Sequence, residues 1–143
     1  VGVTDASSAA AGSVGEYIEG VLLQASATSL TTGTAKTITS ISLTAGDWDV
    51  SGVVYFLFPT STTVTLMEGS ISSVNNTSDG SAGKLSQLIC ASFAPGNGSI
   101  ISQTIPPVRV NVSSTTTYYL VGVATFATST LTGFGSISAR RRR

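Results

Sequence analysis

Carboxylates are scarce in this chain, so the two that flank its single tryptophan, Asp47-Trp48-Asp49, are the first place to look for chemistry. Outward neighbours at alternate positions of a strand stand about 7 Å apart, a spacing open to paired acid/base work or to a cation. No third group accompanies them, and a glycosidase acid needs an apolar pocket to raise its pKa, whereas these two follow the turn Thr44-Ala45-Gly46. The run from Asn75 begins like a calcium loop, with Asn75, Thr77 and Asp79 alternating and Gly80 sixth; Ser86 then stands where the bidentate Glu belongs, so a polar hairpin tip is expected.

Other chemistries lack their parts. The sequence has no His, which removes the usual general base of serine and cysteine hydrolases and the commonest metal ligand. With one Cys and no His there is no zinc cluster, and Cys90, inside Leu88-Ile89-Cys90-Ala91, reads as a small hydrophobe that forms no intrachain disulfide. Gly83-Lys84 is followed by Leu85 and preceded by Ser78 where a phosphate loop needs its first glycine. Four Asn-x-Ser/Thr triplets, at Asn75, Asn76, Asn97 and Asn111, are expected by chance in so Ser/Thr-rich a chain. The residues therefore lead us to expect no catalytic residues, no metal, no cofactor and no enzyme.

The elements that position these residues follow from composition. Nearly a third of the 143 residues are Ser or Thr, charged residues make up 10%, and long charged helix formers are few. One domain of antiparallel strands is expected. Apolar runs between turn signals give eight strands, about 17–26, 35–43, 47–58, 62–72, 84–93, 105–112, 116–127 and 130–139, a number that suits an all-β jelly-roll sandwich. Pro106 and Pro107 mark a sheet edge or a strand start, because neither can donate to a ladder. The segment 1–15 is too small and polar to bury much and reads as a flexible arm or linker, 16–139 as the domain, and 140–143 as a basic tail. The start at Val1 rather than Met suggests processing or a beginning partway through a longer protein.

Formal charge is zero, but four of the seven basic residues are Arg140, Arg141, Arg142 and Arg143. They form either a solvated tail or an anchoring contact to an acidic neighbour, phosphate or carboxylate. The body lacks a basic face with interleaved aromatics, so the folded domain is not expected to bind nucleic acid. The longest apolar run, Val53 to Phe58, is far too short to insert in a membrane as a helix.

Period decides the Asp-Trp-Asp question. Trp48, Val50, Gly52, Val54, Phe56 and Phe58 share one face of their strand, so Trp48 points inward and Asp47 and Asp49 outward. Past Ser51 the outward face also turns apolar, with Val53, Tyr55 and Leu57, and the later strand repeats this with Tyr119, Val121 and Val123. Something covers both second faces, either another copy of the protein or an arm of the same chain.

Two stretches carry a resemblance. Leu43 to Gly52 followed by an aromatic strand, and Ser129-Thr130-Leu131-Thr132-Gly133-Phe134-Gly135-Ser136-Ile137, are similar to the compact jelly-roll heads related to tumour necrosis factor and complement globular domains, which are trimers about an apolar axis. The segment 15–143 more closely resembles small virion proteins of tailed bacteriophages and prophages, on Ser42 to Gly52 and Thr125 to Arg143. That resemblance implies a homotrimer on the virion surface, partnered by capsid or fibre shaft: a capsid decoration or head-fibre component, or else a tail-fibre tip that recognises host-surface glycan. Trp48, Val53, Tyr55, Leu57, Tyr119, Val121, Val123 and Phe134 are then the candidates for trimer interface or core, and Asn75, Asn76, Asp79 and Asn97 for recognition loops.

Overall fold

The computed structural model describes residues 7–143; the first six residues of the expected arm lie outside the described residues. Among the described residues nine strands form: β1 (Tyr17–Leu22), β2 (Thr28–Ser29), β3 (Lys36–Leu43), β4 (Gly46–Phe58), β5 (Thr63–Ser72), β6 (Leu85–Phe93), β7 (Ser99–Val112), β8 (Thr116–Ala127) and β9 (Thr132–Arg141). They pair antiparallel in two sheets, β1-β9-β4-β7 with β2 also on β9, and β3-β8-β5-β6. The chain crosses between the sheets after β2, β3, β4, β6, β7 and β8, and this interleaving makes the expected all-β jelly-roll sandwich.

The inward stripe of β4 is the one its period dictates. Trp48, Val50, Val54, Phe56 and Phe58 are fully buried and meet Leu43, Met67, Ile71, Ile105, Leu120 and Ile137 from the surrounding strands. Gly52 interrupts the stripe because space runs out there. A Cβ at that position would lie 2.8 Å from Leu120 Cδ1 and 3.1 Å from the carbonyl oxygen of Ser136.

Three boundaries differ from expectation. The first strand stops at Leu22, because Gln24–Ser26 winds into a 3-10 turn before the two-residue β2. β7 begins at Ser99, six residues before the expected 105, so Pro106 and Pro107 fall inside a strand rather than at its entrance. They are tolerated because β7 is a sheet edge and the register slips there: Val50 faces Val108 and Gly52 faces Ile105, so the two prolines bulge opposite Ser51. β9 runs to Arg141, which takes Arg140 and Arg141 out of the expected tail and into the sheet.

Candidate functional site

The outer face of the β1-β9-β4-β7 sheet is apolar along its middle. Tyr55 on β4 lies directly opposite Phe134 on β9, and their rings stack with centroids 5.0 Å apart and planes 18° from parallel. Val53 and Leu57 flank Tyr55 on the same face, half-buried. Neighbouring strands add Val21, paired with Ser136, and Ile100, paired with Leu57; these are 51% and 44% exposed. A hollow of about 330 Å³ follows the proline bulge between Val53, Thr104, Pro106 and Ser136. The turns of residues 7–15 border one corner of this face, next to Tyr17 and Arg140. Gly15 donates its N–H to the Arg141 carbonyl there, and Gly12 to the Glu16 carboxylate.

At the opposite end of β4 from Phe58 the carboxylates meet the arginines. Asp47 is outward by period yet only 4% exposed, because guanidinium groups close over it. Arg109 donates through Nε and Nη2 to its two oxygens at 2.8 Å each, and Arg143 donates through Nε at 3.1 Å. Hydrogen bonding from Arg109 is the main influence holding the Asp47 carboxyl below the usual carboxylate range; burial works against it and Arg143 reinforces it. A glycosidase acid needs the opposite shift. Asp49 accepts from Arg142 Nη1 at 3.1 Å. The arginine run thus alternates as a strand should. Arg140 and Arg142 are exposed, while Arg141 turns inward over Trp48, with its guanidinium carbon 4.3 Å from the ring centroid.

Arg141, read from the sequence with its neighbours as a solvated tail or an anchoring contact, is buried within the fold. It donates to Glu16 Oε2 (2.9 Å), the Ala45 carbonyl (2.8 Å) and Thr44 Oγ1 (2.5 Å), and is 5% exposed. Gly46 accommodates it, since a Cβ there would fall 1.9 Å from Arg141 Nη1. Burial pushes the Glu16 carboxyl up, but the bonds from Gly12 and Arg141 outweigh it and leave the pKa lowered. The available signal was parity: Ile137, Ala139 and Arg141 continue one inward stripe.

The second apolar face has a cover within the chain. Residues 73–84, between β5 and β6, tie to the outer side of the β3-β8-β5-β6 sheet. Asn76 Oδ1 accepts the Thr37 N–H (2.8 Å), Asn75 Oδ1 accepts from Thr37 Oγ1 (2.7 Å), and Ser78 donates to Glu68 and contacts Ser70. Val121 is fully buried, and Tyr119 and Val123 are half-buried. Asp79 is held by hydrogen bonds from Ser81 and Lys84, which lower its pKa to about 2.

Asn97 is elsewhere. It sits on the β6–β7 loop and lines a cleft of about 390 Å³ with Gln24, Leu57, Pro59 and Thr130. The nine residues of β6 separate it from the Asn75 loop by roughly 25–30 Å, so the four candidate recognition residues do not gather at one end of the sandwich.

No protein-family model and no curated protein matches the chain. Among solved structures it is similar to a chain in the structure of the Gx strain of infectious bursal disease virus, with a TM-score of 0.50 and 12% identity over 99% of this chain. It is more loosely similar to the VP2 subviral particle of the same virus, with a TM-score of 0.44 and 10% identity over 90% of this chain. The chain spans about a third of the length of each, 36% and 31%. At such identities the likeness is one of fold.

Proposed function

We propose that this protein is a structural component of a bacteriophage virion, a homotrimer on the particle surface that acts as a capsid decoration or head-fibre piece. The observation that carries the reading is the apolar outer face of the β1-β9-β4-β7 sheet. Its aromatic pair Tyr55–Phe134 and its neighbours Val21 and Ile100 stay partly exposed, whereas the other sheet covers its second face with residues 73–84. Scattered surface apolar residues need no explanation, but a contiguous patch centred on stacked rings does. Three copies meeting on this face around an axis would bury it, in keeping with the resemblance to trimeric jelly-roll heads. The likeness in fold to a chain from a virus structure and the resemblance to small virion proteins support the setting.

Light scattering on the purified chain tests the assembly. The expected mass is three times the 14.5 kDa of one chain. Leu57→Lys, on the outer face, should give a folded monomer, and a wild type that is monomeric at micromolar concentration overturns the trimer. Cryo-electron microscopy of the particle tests the placement, since density spread over the shell supports decoration and density confined to the tail tip refutes it.

The cleft at Asn97 favours a second reading, a tail-fibre tip that recognises host-surface glycan. Gln24, Asn97 and Thr130 offer hydrogen-bonding groups around the apolar surface of Leu57 and Pro59, a composition suited to a sugar. Loss of glycan-array binding on Asn97→Ala is the expected result, and an array with no signal for the wild type removes this reading.

A further inference from the structure

Each sheet ends in two edge strands, and three of these four edges carry the devices that prevent pairing with another chain. β7 has Pro106, Pro107, its bulge and Arg109. β3 has Lys36, a register shift between Thr37 and Thr39, and the Asn75-Asn76 turn tied across Thr37. β1 is six residues long and carries Glu19.

β6 differs. Its sequence, Leu85-Ser86-Gln87-Leu88-Ile89-Cys90-Ala91-Ser92-Phe93, has no charge and no proline. It pairs with β5 alone, and among the described residues no other backbone hydrogen bond reaches it. Leu88, Ile89 and Phe93 are 38%, 69% and 38% exposed. The strand does contain an irregularity, but this falls beyond Ile89; Leu85 to Ile89 run in unbroken register against Ser70 to Leu66. Five consecutive residues therefore present an open ladder flanked by apolar side chains.

We propose that this edge is an interface on which β6 of a second copy pairs antiparallel, joining two four-stranded sheets into one. The occupant follows from the sequence of the edge. A two-fold axis at Gln87 sets Leu85 of each copy opposite Ile89 of the other, on the same face, so the strand is complementary to itself. The outer face locates these residues, since Gln87 pairs with Glu68 and its amide donates to the Glu68 carboxylate at 2.6 Å. No charge on the strand opposes its own copy, and none selects a foreign one.

The size of the contact sets its strength. Leu85, Leu88 and Ile89 with a five-residue ladder bury far less than the roughly 800 Å² per partner of a standard stable interface. One such contact is weak, and it matters where many copies are held side by side, as on a particle surface. The pairing does not depend on the trimer, and the two are measured separately.

Sedimentation velocity from about 10 µM to about 1 mM covers the range of such a weak contact. The wild-type species should double in mass with rising concentration. Ile89→Lys should raise the midpoint of doubling at least tenfold while leaving the melting temperature in place, because the side chain is exposed. Leu57→Lys should abolish the trimer and keep the doubling. In a Cys90→Ser background, Gln87→Cys should be linked between copies by a short bis-maleimide far faster than Ser81→Cys. Absence of doubling up to the highest concentration, doubling unchanged by Ile89→Lys, or equal linking at 81 and 87 overturns the proposal.

Discussion

Replacing Arg141 with Met keeps an aliphatic stem over Trp48 and removes every guanidinium bond. Glu16, 7% exposed, would then retain only the Gly12 N–H at 2.8 Å, and the Ala45 carbonyl and Thr44 hydroxyl would lose their donor. Breaking a buried ion pair by removing one partner costs about 3–5 kcal/mol, because the remaining charge is left uncompensated. For 143 residues the unfolding entropy is about 0.3 kcal/mol/K, so the melting temperature should fall by about 10–17 °C at fixed protein concentration. Glu16→Gln in the same background removes the stranded charge and should recover at least about 1 kcal/mol in urea denaturation. The folded-state pKa of Glu16 lies below its ordinary value of 4.5, so the pair stabilises fully above that pH and is lost as pH falls through the lowered value. The gap between wild type and Glu16→Gln should therefore close in acid. A loss under about 1 kcal/mol for Arg141→Met would refute the reasoning, since the guanidinium would then contribute no more than a surface charge.

Gly135→Ala places a Cβ 2.0 Å from the Val53 carbonyl oxygen, between two central strands that cannot part; a loss of at least about 3 kcal/mol or failure to fold is expected, measured by denaturation or soluble yield. The Asp79 carboxyl should titrate at about 2 by carbon-13 NMR rather than at 3.8, so its contribution holds above 3.8 and disappears as pH falls through about 2. Asp79→Asn removes the Lys84 ion pair and should speed amide hydrogen exchange across residues 73–84 with little change in global stability.

Much of the fold was legible because strand period is a local property. Trp48, Val50, Val54, Phe56 and Phe58 alternate in the sequence and are buried in the structure. Boundaries were less legible where a local rule met tertiary context. Pro106-Pro107 reads as a strand start until an edge position and a bulge make room for both. The arginine run reads as a tail because charge usually ends a strand, yet β9 continues through it, since Arg141 finds Glu16 and Trp48 while Arg142 and Arg143 find Asp49 and Asp47. Those partners lie 93 to 125 residues away along the chain, beyond any motif. Asp47 shows the same limit: period places it outward, but only the three-dimensional arrangement of Arg109 and Arg143 buries it on that side.

Two strands with apolar residues on both faces look alike in sequence, but among the described residues the chain covers the second face of only one. On β8 the cover is local: the Asn75–Asn76 turn and Ser78 bind Thr37, Glu68 and Ser70, polar groups on strands beside Val121. Around Tyr55 on β4 the neighbouring outward residues are Ser102, Ser136 and Thr132, on which no comparable tether falls among the described residues, and the rings stack on each other instead. An apolar strand face records that water is to be excluded, while the polar residues beside it record what excludes it. A loop of the same chain needs hydrogen-bonding posts to hold it in place, as Thr37 and Glu68 provide. A second folded copy arrives with its own rigid face and needs shape and apolar area more than posts. That criterion fits the proposal that the outer face of the β1-β9-β4-β7 sheet meets another protein surface, and Leu57→Lys, which changes that face without touching the core, is the substitution that should separate assembly from folding.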